Sequence, residues 1–484
     1  MKKTTQQNQT RSKFYVTTPI YYINDVPHIG HAYSTIAADT LARFYRDKLG
    51  KDNVLFVTGT DENSQKSVDA AKKAEKSIQT YTDETAQKWQ GIFDNLGITY
   101  DRFIRTTDTD HIATVQDILQ KVYDNGDIYK GVYEGLYCVG HEAFMKEDDL
   151  VDGLCPDHKK APEHIKEENW FFKLSKYQDR LKHYILDNPD FIQPQSRRNE
   201  VLSFIETKGL EDFSISRETQ EWGIRLPFDD SQVAYVWFDA LLNYVTAAGY
   251  GTDNFDKWWP ADLHIVGKDI IKFHCIYWPA MLWSAGLDLP RQVFAHGFFT
   301  INGEKISKSL GNAIDPTELV QKYGNDALRY YLLREITFGS DGDFSLQRFN
   351  DVYNSDLANN LGNLTSRLST MLIKYNNAKY NEVKVKPRYE YEDDITSLKF
   401  HTCLSELFSW LDSLNGAIEE NKPWELFKTD PEKTVTVLSA IACELLLITK
   451  YLEPFLPESS KKVQAIFHNG VITQNSEVLF PKFD

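Results

Sequence analysis

The first 125 residues show two alternating hydrophobic patterns, one typical of strands and one typical of helices. The run "FYVTT" (14–18) is rich in aromatic and β-branched residues and predicts a strand. Apolar residues at helical spacing follow from His31 until Gly50, where the helix is expected to stop. A second run, "NVLFVTGT" (53–60), predicts another strand, and amphipathic helical patterns continue beyond it. The order strand, helix, strand, helix is typical of a parallel sheet.

The pattern changes twice more along the chain. Short aromatic and charged segments with many turns fill 129–231, as expected of an inserted mixed domain, and predicted strands then resume at 262–267 and 292–300. Beyond about residue 350 only helical spacing remains, which predicts a helix bundle. The divisions we expect are a disordered tail (1–13), a parallel-sheet domain in two halves (14–128 and 232–290), the insertion (129–231), a loop-containing region (291–350) and an all-α domain (351–484).

Composition and charge limit the class of protein. The chain has 484 residues, 42% of them hydrophobic, and we expect no apolar run of the length that crosses a bilayer. The basic, polar start does not resemble a secretory signal, so a cytoplasmic protein without a membrane is expected. A net charge of −16 argues against a nonspecific polyanion binder but allows one local basic surface. Five cysteines do not make a disulfide framework, and Cys275, Cys403 and Cys443, which lie among apolar residues at helical spacing, are expected to be buried reduced thiols.

Two short motifs carry the candidate chemistry. "HIGH" puts His28, Gly30 and His31 at the start of a helix, where backbone N–H groups and the helix dipole attract anions. "KISKS" (305–309) puts two lysines and two hydroxyls on a glycine-flanked loop that can fold over a polyphosphate. Capping histidines and a lysine-rich surface loop are the alternatives for each motif taken alone. Together, in the two halves of a split parallel sheet, they predict a triphosphate site.

With these two motifs the chain resembles the class I aminoacyl-tRNA synthetases, whose signatures are "HIGH" and "KMSKS", and it most closely resembles the methionyl-tRNA synthetase family. The resemblance implies an α/β fold: a Rossmann-like parallel-sheet catalytic domain split by an inserted connective domain, then an all-α anticodon-binding helix bundle. It implies that His28, His31, Lys305 and Lys308 are catalytic, and that Mg²⁺ accompanies ATP. The implied ATP-binding set is His28, Gly30, His31, Gly267, Asp269, Lys305, Ser307 and Lys308.

The resemblance also implies a pocket for L-methionine. Helical spacing predicts one face shared by Trp237, Ala240, Leu241 and Tyr244, and a second face shared by Ile270, His274 and Trp278, although such aromatic stripes are usually core. In the family these positions are pocket walls, and Asp61 pairs with the substrate ammonium group. The implied pocket is Ile20, Tyr22, Asp61, Trp237, Ala240, Leu241, Tyr244, Ile270, His274 and Trp278. One departure is "TDENS", where the family has "TDEHG": Asn63 and Ser64 replace histidine and glycine.

A possible metal site lies in the insertion. Cys138, His141, Cys155 and His158 form a C-x2-H-x13-C-x2-H arrangement, and the spacing of the two pairs is typical of a structural zinc knuckle. A Cys2His2 set is chemically complete for tetrahedral Zn²⁺. Relatives commonly have cysteine where His141 stands. The alternative is a knuckle held by packing alone.

Three residues of the helical region match family positions that read the CAU anticodon. Asn363 and Arg367 share a helix face, and Trp424 follows Pro423 at a predicted helix start. The alternative is a buried tryptophan and a solvent-facing pair. The partners implied are tRNA(Met), including initiator tRNA, and methionine. The chain ends without the dimerisation domain that some relatives carry, so a monomer is expected.

Three other functions fit part of the sequence. Another class I synthetase, for leucine, isoleucine or cysteine, would share both ATP motifs but have a different pocket, and the aliphatic enzymes usually have a larger editing insertion. A small-molecule nucleotidyltransferase uses an "HxGH"-type motif but would leave some 130 helical residues without a role. A noncatalytic paralogue would be expected to have lost a phosphate-binding residue, and none is missing.

Overall fold

The computed structural model describes residues 11–140, 143–156, 159–301, 303–305, 314–473 and 478–483. Its strands are β1 (Phe14–Tyr22), β2 (Val54–Asp61), β3 (Arg102–Arg105), β4 (Ile128–Cys138), β5 (Ala143–Met145), β6 (Glu163–Phe172), β7 (Ile192–Gln193), β8 (Phe213–Ser214), β9 (Ser216–Arg217), β10 (Arg225–Leu226), β11 (Asp229–Ala234), β12 (Leu263–Gly267), β13 (Val293–His296), β14 (Phe299–Ile301), β15 (Glu304–Lys305), β16 (Gly342–Phe344), β17 (Phe467–His468) and β18 (Val471–Ile472).

The α-helices and two π-helical segments account for most of the remaining regular structure. The α-helices are α1 (Ile29–Leu49), α2 (Gln65–Lys73), α3 (Ile78–Asn95), α4 (Thr109–Asp124), α5 (Gln178–Asp187), α6 (Gln195–Lys208), α7 (Val236–Leu241), α8 (Asn243–Ala247), α9 (Phe255–Trp258), α10 (Trp278–Ser284), α11 (Pro316–Tyr323), α12 (Asn325–Arg334), α13 (Leu346–Val352), α14 (Asn363–Asn376), α15 (Glu392–Thr396), α16 (Phe400–Asn421), α17 (Pro423–Thr429), α18 (Pro431–Leu452) and α19 (Pro457–Ile466). The π-helical segments are Phe273–Tyr277 and Tyr353–Gly362.

The chain forms two compact units. The first comprises the chain up to Pro27, Tyr45–Asp94 and Ile98–His296, and the second comprises His28–Phe44, Asn95–Gly97 and the chain from Gly297 onward. The first unit is built on a six-stranded sheet in the order β3-β2-β1-β12-β13-β7. Every neighbouring pair in this sheet is parallel, which confirms the predicted α/β class.

The edges of this sheet differ from the expectation. The helical pattern predicted up to residue 125 is interrupted by β3, a strand of only four residues that pairs with β2, so the prediction of uninterrupted helices is wrong there. The opposite edge is β7, a strand of two residues that lies inside the expected insertion and pairs with β13. Strands this short carry no hydrophobic period of their own and exist because a neighbouring strand pairs with them. Lys13, expected in the disordered tail, lies 3.3 Å from the Asp262 carboxylate and is held in place.

The single strand predicted over 292–300 is also wrong. The chain forms β13, which belongs to the parallel sheet, and then β14, which pairs with β15 and β16 in a separate three-stranded sheet. The break falls at Gly297, where a Cβ would lie 2.3 Å from the backbone of Ser340. Only glycine permits this approach of two backbones, and the apolar pattern on either side does not reveal it.

Two further sheets lie in residues 128–234. One is antiparallel, in the order β5-β4-β6-β8, with β4 and β6 paired along ten residues from Ile128 to Tyr137. The other is β10-β11-β9. These sheets lie within the segment in which an inserted mixed domain is expected.

A buried ion pair joins helices of the second unit. Arg329 in α12 is 1% exposed and donates to the Asp39 carboxylate of α1 at 2.6 Å. The same guanidinium donates to Thr40 of α1 and to the carbonyls of Pro454 and Phe455, in the turn between α18 and α19. Because burying an arginine is costly unless its donors are satisfied, these bonds fix α1 on the C-terminal helices.

The C-terminal region is mainly helical, with two differences from the expectation. A two-stranded hairpin, β17–β18, ends a region expected to be all-α. Helix α18 is long and apolar enough, by length and composition, to cross a membrane, so the expectation that no such run exists is wrong. Its buried residues, among them Leu438 and Leu445, pack within the bundle against α14, α16 and α17, and the core helix of a soluble bundle passes the same test.

Candidate active site

The start of α1 holds His28 and His31. His28 is the residue before the helix, and its carbonyl accepts the N–H groups of His31 at 2.9 Å and of Ala32 at 3.2 Å. The two imidazole rings are stacked, with centroids 3.8 Å apart and planes 28° apart. The helix N-terminus predicted at the histidines is therefore confirmed.

Backbone hydrogen bonds decide which ring nitrogen carries the proton. The N–H of Gly30 donates to Nδ1 of His28, and the N–H of His28 donates to Nδ1 of His31, both at 3.1 Å. An Nδ1 that accepts a hydrogen bond carries no proton, so in each neutral ring the proton is on Nε2. Each histidine is thus an Nε2–H donor at the positive end of a helix, which is an arrangement suited to an anion.

Gly30 separates the histidines for a steric reason. A Cβ at this position would lie 2.9 Å from Cε1 and 3.1 Å from Nδ1 of His28. Any side chain would displace the His28 ring from its stack on His31 and break the bond from the Gly30 N–H. The glycine is therefore part of the geometry that sets the tautomers.

The predicted lysine loop is described only at its start. Lys305 ends β15, which pairs antiparallel with β14 at Thr300. The side chain of Lys305, together with Ser307 and Lys308, lies outside the described residues.

Asp61 begins a loop that is anchored at the next residue, Glu62. It ends β2 opposite Tyr22 of β1 and is 4% exposed. Glu62, the next residue, is fully buried, and Arg105 donates to both of its carboxylate oxygens at 2.6 and 2.8 Å. Thr107 donates to the same carboxylate at 2.6 Å. Asp61 therefore has a fixed place at the carboxyl edge of the parallel sheet, where ligands bind in such folds.

The predicted pocket residues Tyr244 and His274 are in direct contact. Tyr244 Oη lies 2.7 Å from His274 Nε2, and His274 Nδ1 lies 3.0 Å from the carbonyl of Ile270. A carbonyl only accepts, so Nδ1 carries the proton and the tyrosine hydroxyl donates to Nε2. Burial lowers the pKa of His274 to about 4 and raises that of Tyr244. The pair is therefore neutral at physiological pH, which suits a ligand with an uncharged side chain.

His264 forms a second layer behind this pair. The indole N–H of Trp278 donates to His264 Nε2 at 3.4 Å, so the proton of the ring is on Nδ1, which donates to Thr17 at 2.7 Å. The His264 ring lies 4.2 Å from that of Tyr244, and Trp278 lies 5.9 Å from Tyr244. Burial lowers the pKa of His264 well below its ordinary value. These contacts fix the orientation of the Tyr244 ring.

An aromatic wall adjoins the pocket. Trp237 is stacked on Phe273, with centroids 3.6 Å and planes 4° apart, and the edge of Tyr22 approaches it at 6.4 Å. The buried indole N–H of Trp237 has no hydrogen-bond partner among the described residues. Buried donors are nearly always paired, so an unpaired one is typical of a surface that a ligand or water completes.

The helices that carry the pocket are less regular than predicted. The expected single helix with Trp237 and Tyr244 on one face is two short helices, α7 and α8, that meet at Leu242. His274 lies in the π-helical segment Phe273–Tyr277, which shifts the α-helical spacing to Trp278. The fold nevertheless brings the set into one cluster, because the following members are buried in the core of the first unit or packed against it: Ile20, Tyr22, Trp237, Leu241, Tyr244, Ile270 and Trp278. Ala240 is also buried.

Gly267 and Asp269 follow the end of β12. A Cβ on Gly267 would lie 2.5 Å from Oδ1 of Asp269, so a side chain there would displace this carboxylate. Asp269 is exposed. The pair therefore forms an open acidic turn at the carboxyl edge of the sheet.

The zinc-knuckle candidates are described in part. Cys138 ends β4 and Cys155 lies in a turn where its N–H donates to the carbonyl of Lys160 at 2.9 Å; both thiols are reduced and buried. His141 and His158 lie outside the described residues, and no group of three ligand side chains occurs within the described part of the chain. Cys443, expected to be buried, is partly exposed.

The three predicted anticodon residues lie on helices of the bundle. Trp424 is 37% exposed at the start of α17, where Pro423 is the first residue, so the alternative of a buried tryptophan is wrong. Asn363 is exposed at the start of α14, and Arg367, one turn later, is bound to Glu419 of α16 at 2.6 Å. An aromatic residue and polar side chains at the surface suit contact with bases.

Sequence reasoning missed several residues around the pocket. His111 and Asp239 are both fully buried and lie 2.7 Å apart, and His264 and Phe273 contact predicted pocket residues. None belongs to a short motif, and each is far in sequence from its partner. Only the fold reveals them.

A parallel sheet with a pocket at its carboxyl edge defines the class of protein as a ligand-binding α/β fold. The family model described as "tRNA synthetases class I (M)" matches residues 14–163 and 158–369. The chain therefore belongs to the methionyl-tRNA synthetase family of the class I tRNA synthetases.

Relatives and solved structures agree with this assignment. The methionine–tRNA ligase of Thermotoga maritima is 46% identical over 471 residues, covering 93% of this chain and 74% of the relative. That of Synechocystis sp. is 46% identical over 473 residues, covering 93% and 88%. The structure of Mycobacterium tuberculosis methionyl-tRNA synthetase in complex with methionyl-adenylate superposes with a TM-score of 0.92 at 36% identity, covering 97% of this chain and all of that one.

Proposed function

We infer that the chain is a methionine–tRNA ligase, which uses ATP to activate methionine as methionyl-adenylate and then transfers methionine to the 3′-terminal adenosine of tRNA(Met), initiator tRNA included. The relatives carry this name, and one similar structure holds methionyl-adenylate. The observation that carries the choice of amino acid is the neutral Tyr244–His274 pair beside the aromatic wall. Aromatic rings favour a polarisable thioether by about 0.3 to 1.5 kcal/mol per contact.

The first step needs positioning and charge stabilisation rather than a covalent nucleophile. A carboxylate oxygen of methionine attacks the α-phosphorus of ATP in line with the leaving group, a bond to phosphorus forms as the bond to the bridging oxygen breaks, and pyrophosphate leaves. We assign the Nε2–H donors of His28 and His31 to the phosphates, on the strength of their tautomers. Mg²⁺ would accompany ATP and would neutralise phosphate charge.

The remaining ATP contacts follow the family pattern. Lys305 and Lys308, with Ser307, would stabilise the charge that develops on pyrophosphate, and Gly267 and Asp269 would hold the ribose. Because the Lys308 charge is needed chiefly in the transition state, Lys308→Ala is expected to slow adenylate formation while methionine affinity stays near that of the wild type. Single-turnover kinetics and methionine binding measured on one preparation check this, and a collapse of affinity at an unchanged rate would refute it.

The methionine pocket is assigned from the carboxyl edge outward. Asp61 would pair with the ammonium group, supported by its fixed loop, and Tyr244, His274 and Trp237 would surround the thioether. Ile20, Tyr22, Ala240, Leu241, Ile270 and Trp278 would complete the walls. Leucine and isoleucine have side chains of the same number of heavy atoms as methionine but are branched and lack the sulfur, so sulfur–aromatic contacts of about 0.3 to 1.5 kcal/mol each should favour methionine over both.

Zn²⁺ is proposed as a structural ion of the insertion. Cys138 and Cys155 suit it because both are reduced, buried thiols in a turn-rich segment, and His141 and His158 would complete a tetrahedral Cys2His2 set. When bound, the metal would supply folding energy to its small domain.

The bundle is proposed to read the anticodon, with Trp424 stacking on a base and Asn363 and Arg367 contacting base edges. The exposed positions of Trp424 on α17 and Asn363 on α14 support this role, and Arg367 lies half-buried one turn after Asn363, paired with Glu419. A cytoplasmic monomer is proposed with it.

Amino-acid-dependent exchange of pyrophosphate into ATP, run with each amino acid in turn, tests the central proposal. Exchange with methionine is expected to exceed exchange with every other amino acid. A clear preference for leucine or isoleucine would identify a different class I synthetase, and no exchange with any amino acid would favour a nucleotidyltransferase or a noncatalytic paralogue.

A further inference from the structure

A buried polar network lies behind the candidate methionine pocket. The Asp239 carboxylate of α7 is fully buried; its Oδ2 accepts the side-chain amide of Asn63 at 2.7 Å, and its Oδ1 lies 2.7 Å from Nε2 of His111 in α4. Nδ1 of His111 lies 3.1 Å from the hydroxyl of Thr246 in α8. Asn63, His111 and Thr246 are at most 3% exposed.

The orientation of the Asn63 amide is unambiguous. Its nitrogen donates to the Asp239 carboxylate and also lies 3.2 Å from the carbonyl of Thr106. Both partners only accept, so the nitrogen and oxygen of the amide cannot be exchanged. The side chain therefore forms a directed bridge from the loop after β2 to α7.

The two ends of this bridge are the two sides of the pocket. Asn63 follows Asp61 by two residues, and Asp239 stands between Trp237 and Leu241 in α7. The network thus joins the residue assigned to the substrate ammonium group to the wall assigned to the thioether. A buried carboxylate is stable only when both oxygens are satisfied, so Asp239 holds the two neighbouring elements at defined distances.

We propose that Asn63, Asp239 and His111 are positioning residues that set the spacing between Asp61 and the α7 wall, and thereby the affinity and selectivity for methionine. The proposal rests on the proposed function, since it assumes that the pocket binds the amino acid. None of the three is assigned a contact with the reacting atoms. Small errors of placement in such a site cost large factors in rate or affinity.

The surrounding structure allows this role to be separated from a general loss of folding. Glu62, between Asp61 and Asn63, is anchored independently by Arg105 and Thr107. The loop therefore keeps its anchor when the Asn63 amide is removed, and the expected result is a shift of α7 relative to Asp61.

Methionine-dependent pyrophosphate exchange of Asn63→Ala, His111→Ala and His111→Gln tests the proposal. We expect the two alanine variants to raise KM for methionine about tenfold or more, as for a lost hydrogen bond to a buried charge. KM for ATP should stay within about twofold of the wild type, and the preference for methionine over leucine should fall. His111→Gln keeps a donor near the position of Nε2 and should restore most of the affinity. Asn125→Ala is the matched control, because this amide donates to the carbonyl of Ser284 instead.

Several outcomes would overturn the proposal. The first is an unchanged KM for methionine in both folded alanine variants. The second is an equal rise of KM for methionine and for ATP. The third is failure of His111→Gln to restore the affinity for methionine. If Asn63→Ala does not fold, Asn63→Leu, which removes the amide donor but keeps most of the side-chain volume, is held to the same criteria. Wild-type exchange with an amino acid other than methionine would refute the proposed function alone, and the spacing proposal would then be measured with that amino acid.

Discussion

Truncation of Trp424 separates a tRNA ligase from an enzyme that only activates methionine. Trp424 is 37% exposed at the first turn of α17, and Pro423 before it provides a rigid start to that helix. Trp424→Ala removes a surface for base stacking, whereas methionine and ATP are assigned to other residues. Stacking on an aromatic side chain is worth about 1 to 3 kcal/mol per base. We therefore expect kcat/KM for tRNA aminoacylation to fall roughly fivefold to 150-fold.

The bundle supplies a matched control. Trp410 in α16 is 4% exposed, and its indole N–H donates to Glu444 at 2.7 Å. Trp410→Ala leaves a cavity and removes the indole donor to Glu444, which keeps its ion pair with Arg388 at 2.7 Å, so it is expected to cost about 3 to 5 kcal/mol of stability, mainly through the cavity. Trp424→Ala should cost clearly less, because more than a third of its side chain is already in water.

Three measurements on each variant decide the role. Aminoacylation with tRNA(Met) should fall for Trp424→Ala, while pyrophosphate exchange and the thermal midpoint should stay near the wild type. For Trp410→Ala the main expected effect is a lower thermal midpoint. Unchanged aminoacylation by Trp424→Ala would refute the anticodon role, as would a parallel loss of both activities together with a drop in thermal midpoint as large as that of Trp410→Ala.

Three further predictions concern stability, metal and pH. Arg329→Met removes the buried guanidinium that joins Asp39 to the carbonyls of Pro454 and Phe455, while Asp39 keeps its ion pair with Arg43 at 2.7 Å, so it should cost about 1–3 kcal/mol in urea unfolding; an unchanged free energy of unfolding would contradict the buried network. Elemental analysis should find about one zinc per chain, and Cys155→Ser should release it and loosen the insertion; a metal-free protein of full stability would exclude the ion. His274 has its pKa lowered from 6.5 to about 4, so the unfolded chain binds a proton there that the folded chain does not. Stability should therefore fall as pH drops from 6.5 to 4, and His274→Asn should show a shallower slope; identical slopes would contradict the burial of a neutral ring.

Local patterns were enough to predict the elements around the "HIGH" motif. Apolar runs predict the strands β1, β2 and β12, and helical spacing predicts the start of α1. Each of these patterns involves only residues that are near one another in the sequence. The class of fold follows as well, because the order of strands and helices restricts a sheet to parallel pairing. The candidate residues came from a resemblance in short motifs, and their spacing alone does not separate a pocket from an ordinary core.

What only the tertiary structure decided depends on contacts between distant parts of the chain. The break between β13 and β14 comes from the approach of Gly297 to Ser340, and the tautomers of His28 and His31 come from the backbone of a folded turn. The exposure of Trp424 depends on which sides of α17 its neighbouring helices cover. The bridge from Asn63 through Asp239 to His111 joins positions 176 and 128 residues apart. No local period encodes such pairings, since the energy of a buried polar contact exists only when both partners have left water together.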